Sequence, residues 1–176
     1  EAGDTTAITN VNIIADNNIS ADTDARIDGS GFVDSEVNLI ADADNSADGQ
    51  LDLDATVTTG NDISLQGSGL DVGSSGNVTA LNDINVTASG SSTGNMQING
   101  TLTATGALRM FNNATAGSSE IFVNSSADVT AASIVIQAND NTGGASNITL
   151  NGGNVTATNG AIEISSNDGG NVFVNG

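Results

Sequence analysis

The chain holds 176 residues, with 21 acids against two cations, Arg26 and Arg109, for a formal charge of −19. So acidic a surface repels phosphate, which excludes nucleic-acid binding and a polybasic membrane contact. It lacks His, Cys and Lys, so it has no disulfide framework and few catalytic bases or nucleophiles, and no run of about 18 apolar residues is present to insert in a bilayer.

Residues 1–10 carry no pattern and read as a lead-in. The opening EAGDTT has neither the basic region nor the apolar stretch of a signal peptide, so the expectation is a mature form, a fragment or a non-secreted chain. From Val11 a repeat begins. Residues 11–36 open VNIIADNN, and residues 37–62, a stretch of equal length, open VNLIADAD. Similar openings recur at Ile63, Ile84, Leu108, Ile134 and Ile162. A loose period of this kind, roughly 21 to 28 residues, marks a repeat architecture. Low hydrophobicity with high net charge favours disorder, but the regular apolar spacing argues for a folded chain.

Each repeat divides into three short strands. The first carries an apolar pair at i and i+2: Val11/Ile13, Val37/Leu39, Ile63/Leu65, Ile84/Val86, Leu108/Met110, Ile134/Ile136 and Ile162/Ile164. Period-two alternation is the pattern of a strand with one buried face. After a polar turn the second strand carries Leu51/Leu53, Leu70/Val72, Met96/Ile98, Ile121/Val123, Ile148/Leu150 and Val172/Val174, with Ile27 as the weaker member in the first repeat. The third carries one large apolar residue, Val57, Val78, Leu102, Val129 or Val155. A Thr follows each, and then a small residue suited to an inward corner: Thr59, Ala80, Ala104, Ala131 or Ala157.

Three strands cannot close a core, but stacked repeats can. Each strand then pairs in parallel with its counterpart one coil along, about 4.8 Å away. The expected fold is all-β: a right-handed parallel β-helix, or β-solenoid, of about seven triangular coils and roughly 30 to 35 Å long. Residues 1–176 read as one segment, with coils starting near 11, 37, 63, 84, 108, 134 and 162. An antiparallel sandwich also suits short strands at this spacing. The fixed order of three strand types favours the solenoid, and the abundance of Gly, Asn, Thr, Val and Ile disfavours helices.

Thirteen of the 21 acids fall in residues 1–60. Stacking the two equal repeats sets Asp16, Asp22 and Asp28 against Asp42, Asp48 and Asp54, where like charges repel. The spacing D-x-D-x-x-x-D-G occurs at Asp22/Asp24/Asp28-Gly29 and at Asp42/Asp44/Asp48-Gly49. It resembles a calcium loop but lacks the EF-hand pattern. These acids read as solvated turn residues, with calcium the one cofactor to consider and no metal, cofactor or catalytic residue assigned.

Threonines following the third-strand apolar residues form an exposed β face, as their strand propensity favours. Such arrays resemble those of ice-binding proteins, but Asn77, Asp128 and Asn154 break this one. Eight N-x-[ST] sequons, at Asn18, Asn77, Asn85, Asn99, Asn113, Asn124, Asn147 and Asn154, follow mostly from composition and would allow glycosylation on an extracellular rod. Val135, Phe122 and Phe173 point outward between inward positions, with Phe111 and Phe32 near strand ends, as a candidate contact patch. Paired carboxylates can hydrolyse glycosides, but no Trp or Tyr offers a sugar platform, and the expectation is that the chain is not an enzyme.

The repeats NDISLQGSG, NDINVTASGS, NGGNVTATNGAIEIS and NGTLTATGALRMF resemble the haemagglutinin-type repeats of filamentous haemagglutinin-like exoproteins, over residues 11–176. The resemblance implies a segment of the β-helical shaft of a two-partner-secretion adhesin. The secretion domain of such proteins is expected to be absent, because its Asn-Pro-Asn motifs need a Pro this chain lacks. The expected function is an extracellular structural or adhesive rod at the cell surface or in a fibre. A carbohydrate- or calcium-binding β-helix is the alternative, and a polysaccharide-degrading enzyme a weaker one. Without a capping helix or divergent end repeat, the expected partners are a coaxial continuation of the chain or copies of itself, with host or matrix glycans as ligands.

Overall fold

A strand with apolar residues on one side needs another layer to cover that side, and here three such strands cover one another. In the computed structural model each coil folds as a three-sided rung. The structure describes residues 10–44, 46, 48–89, 95–114, 117–140, 144–167 and 169–175. The lead-in, apart from Asn10, lies outside them.

The first coil comprises β1 (Asn10–Ile14), β2 (Ile19–Ala21) and β3 (Arg26–Gly29). The second comprises β4 (Glu36–Ile40), β5 (Gln50–Leu53) and β6 (Thr56–Thr59), and the third β7 (Ile63–Gly67), β8 (Gly69–Val72) and β9 (Asn77–Ala80). Then come β10 (Ile84–Ala88), β11 (Met96–Ile98) and β12 (Thr101–Ala104), followed by β13 (Ala107–Ala114), β14 (Ser119–Val123) and β15 (Asp128–Ala131). The sixth coil holds β16 (Ser133–Asp140), β17 (Ser146–Asn151) and β18 (Asn154–Ala157), and β19 (Ile162–Ser166) and β20 (Val172–Asn175) follow. The described residues therefore make six full turns and two further strands. Two sheets hold seven strands each and the third holds six, every neighbour one coil away. Every pairing is parallel. This is the β-solenoid expected from the repeat. Seven rungs at the usual strand spacing extend about 29 Å along the axis.

The core consists of columns running along that axis. In the first sheet Val37, Ile63, Ile84, Leu108 and Ile134 are stacked one above another, all fully buried. Leu51, Leu70, Met96, Ile121 and Ile148 form the second-sheet column, and Val57, Val78, Leu102 and Val129 the third. Burying each such side chain contributes about 1.5–3 kcal/mol, which offsets the ordering of a chain this rich in Gly and Asn. The columns open at the two terminal rungs: Ile13 is 40% exposed at one, and Ile162, Val172 and Val174 are 42%, 42% and 72% exposed at the other.

Two details differ from the sequence reading. Ile27 lies in the third sheet, paired with Val57, and the second strand of the first coil is Ile19–Ala21, paired with Leu51 and Leu53. The first coil reaches its second strand after the short turn 15–18, whereas the second coil takes the longer turn 41–49. The longer turn lengthens the step from one coil to the next in the second and third sheets and so displaces Asp22 and Asp28 from the expected alignment, whereas the first sheet keeps the 26-residue step that leads from Asp16 to Asp42. Asp22 therefore follows the Ala21↔Leu53 pair onto Asp54 rather than Asp48, and Asp28 pairs with Thr58 rather than Asp54.

One buried polar residue interrupts an inward column of small side chains. Asn112 stacks between Ala88 and Ala138 with no exposed surface. Its Nδ2 donates to the Glu120 carbonyl at 2.8 Å, and Ser119 Oγ donates to the Asn112 carbonyl at 2.8 Å. These bonds pin the corner between β13 and β14, since a buried polar group is stable only when bonded.

Candidate functional site

The outward side chains, aligned by the same register, are where any site must lie. The first Asp-x-Asp segment does not gather its carboxylates. Asp22 and Asp24 sit in the turn between β2 and β3, while Asp28 lies in β3 itself. Its carboxylate accepts from Ser30 Oγ at 2.6 Å, from Arg26 Nη2 at 2.6 Å, from the Ser30 amide at 3.0 Å and from Thr58 Oγ1 at 3.0 Å. The Ser30 hydroxyl, then Arg26, hold Asp28 well below the usual carboxylate range.

The second segment does converge. Ser46 Oγ donates to Asp42 Oδ1 at 3.2 Å and to Asp48 Oδ1 at 2.5 Å, and the Ser46 amide donates to Asp44 Oδ1 at 3.1 Å. The Ser46 hydroxyl and then its amide lower the Asp44 pKa. Asp42 is buried and adopts the left-handed conformation, with φ 59°, which turns the chain out of β4. These bonds close the turn on itself. Among the described residues no group of three or more acids, His or Cys is placed to hold a metal ion.

A second acidic patch was not legible in the sequence because it depends on the short step between β5 and β8. Asp52 pairs directly with Asp71 on the second sheet, and Asp54 lies beside them. Partial burial is the main cause raising the Asp71 pKa; Asn99 Nδ2, donating at 3.0 Å, opposes it, and Asp52 and Asp54 add to it. A raised folded-state pKa means that folding disfavours the ionised form. The penalty is present above that pKa and fades as pH falls through it. Asp71→Asn keeps the acceptor for Asn99 and is expected to stabilise the fold at neutral pH by a few tenths to about 1 kcal/mol. The gain should vanish on acidification toward the ordinary value of 3.8. Urea midpoints across pH check this, and a gain unchanged at acid pH would contradict it.

The cations have local roles. Arg109 Nη1 donates to Asp83 Oδ2 at 2.9 Å across one rung, and the Ala107 amide donates to Asp83 Oδ1 at 2.7 Å. Partial burial pushes the Asp83 carboxyl up, but the Arg109 bond and the Ala107 amide outweigh it and hold the pKa below its ordinary value.

The threonine column is continuous over five rungs: Thr58, Thr79, Thr103, Thr130 and Thr156. The column beside it is mixed, running Arg26, Thr56, Asn77, Thr101, Asp128 and Asn154. The outward apolar residues do not form one patch. Val135 and Phe111 lie on the first sheet, Phe122 and Phe173 on the second, and Phe32 in the turn after β3. Several sequon asparagines are engaged internally. Asn18 Oδ1 accepts the Gln50 amide at 2.8 Å, Asn124 Nδ2 donates to Asn99 Oδ1 at 2.8 Å, and Asn139 Nδ2 donates to Asn113 Oδ1 at 2.9 Å. Among the described residues no cavity is found, and no helix is long and apolar enough to cross a membrane. Comparison of the chain with protein-family models, with curated proteins and with solved structures gives no match.

Proposed function

We propose that the chain is a non-catalytic structural rod, a shaft segment of an extracellular bacterial adhesin or surface fibre. The observation that supports this most is the rung-to-rung register, unbroken in all three sheets through six turns. An arrangement of this kind carries load through repeated parallel pairing and has no need of a pocket. The likeness of its repeats to haemagglutinin-type repeats supports the surface location. Its partners are further rungs of the same kind, from a continuing chain or another copy. Among the described residues β20 is the last strand of its sheet, and Val172 and Val174 are exposed beside that edge.

Small-angle scattering and sedimentation of the purified chain test the reading. The expected particle has a constant cross-section and grows only in length as concentration rises. Association that widens the cross-section, or a strictly monomeric particle at high concentration, would count against end-on partnership. A calcium- or glycan-binding module is the competing outcome: a melting temperature that climbs with added calcium or oligosaccharide would overturn the purely structural role.

A further inference from the structure

Four Asn-Gly pairs occur in the chain, at Asn99, Asn151, Asn159 and Asn175. In such a pair the glycine amide nitrogen can attack the asparagine side chain, because no Cβ shields it. Whether a folded protein allows the attack depends on what holds the amide and the side chain. The structure treats the three fully described pairs differently.

Asn99 is held on both sides, its Nδ2 donating to Asp71 and its Oδ1 accepting from Asn124. The following amide, Gly100, is buried and donates to the Val72 carbonyl at 3.1 Å. After Asn159, the Gly160 amide donates to the Ala132 carbonyl at 2.7 Å. Asn151 and Gly152 are both exposed, at the open turn where β17 ends. Gly152 has a φ of +77°, and among the described residues, its chain neighbours apart, a Cβ built there meets only Ser125 Cβ within 4 Å, at 3.7 Å. Its amide makes no hydrogen bond among the described residues.

We infer that Asn151 is a site of spontaneous deamidation, with water as the only co-reactant. The Gly152 nitrogen, losing its proton, bonds to Asn151 Cγ; the Cγ–Nδ2 bond breaks and ammonia leaves. Water then opens the cyclic imide at either carbonyl, giving aspartate or isoaspartate. No electrons are transferred, and each event adds one negative charge.

The two products affect the rod differently. Extended by one residue beyond the Leu150, Val123, Ile98, Val72 and Leu53 column, the strand register carries the position of Asn151 back through Asn124, Asn99 and Gly73 to Asp54. An ordinary aspartate therefore already occupies this column. Isoaspartate routes the main chain through an extra methylene and shifts everything between β17 and β18 out of step with the rung below.

The test is peptide mass mapping of the intact folded chain during incubation in mildly alkaline buffer, with a parallel sample in urea. The expected result is a gain of about one dalton at Asn151, about tenfold or more faster than at Asn99 or Asn159 in the folded sample, because those sites must first open locally. In urea the three rates should converge. Gly152→Ala should slow the reaction at Asn151, and Asn151→Asp should melt like the parent. Folded-state rates at Asn99 or Asn159 that match or exceed the rate at Asn151 would overturn the inference. So would an Asn151 that stays intact while its urea counterpart converts.

Discussion

Ile84→Ala is expected to cost about 2–5 kcal/mol, whereas the same change at Ile162 costs less than about 1 kcal/mol. The two isoleucines occupy one column of the first sheet, so chemistry and backbone are matched and only the position along the axis differs. Ile84 is fully buried between Ile63 and Leu108, and truncating it leaves a cavity that weakens the interfaces to both neighbouring rungs. Ile162 is 42% exposed and has a described rung on one side only. Solenoid stability is close to a sum of nearest-neighbour interfaces, so the ratio of the two costs reports how cooperative the stack is. Urea unfolding followed by circular dichroism measures both. Equal losses would mean that the terminal rung is covered in solution, which is itself a test of end-on association.

Gly100→Ala is the second large effect, and it acts through the backbone. A Cβ at Gly100 would lie 2.3 Å from the Gly76 carbonyl oxygen and 2.4 Å from the Gly73 carbonyl oxygen, both in the rung below. Neither is a flexible side-chain end, so two rungs must separate in the middle of the rod. The expected cost is about 1–3 kcal/mol or more. Gly31→Ala is the control, since among the described residues, its chain neighbours apart, nothing lies within 4 Å of a Cβ placed there and the backbone is unstrained. It should change stability by no more than about 0.5 kcal/mol. A Gly100→Ala protein that melts with the parent would show that the corner can widen locally without parting the rungs.

The alternating triplets made most of the fold legible. Val37/Leu39, Leu51/Leu53 and Val57 fall on three successive walls as their spacing suggests, because a strand shows its buried face in period two whatever its partner is. The first coil was harder. Ile19 is followed inward only by Ala21, so its strand signal is weak, and Ile27, which reads as a second-wall residue, belongs to the third. The candidate sites were less legible still. The Asp42/Asp44/Asp48 segment is visible as a motif, but its arrangement around Ser46 is not. The Asp52–Asp71 neighbours have no motif at all, and only the loop lengths between strands bring them together.

The sequence by itself determined the architecture, since period-two apolar triplets that recur at a loose, regular interval have one economical way to bury their apolar faces. The tertiary structure alone decided which outward residues meet. Their axial neighbours depend on turn lengths that vary from coil to coil, and one longer turn is enough to seat Asp28 on Thr58 instead of Asp54. It also decided which of several chemically identical Asn-Gly pairs is open to attack, because that depends on whether the glycine amide is bonded to the rung below, as at Gly160, or left in a turn, as at Gly152.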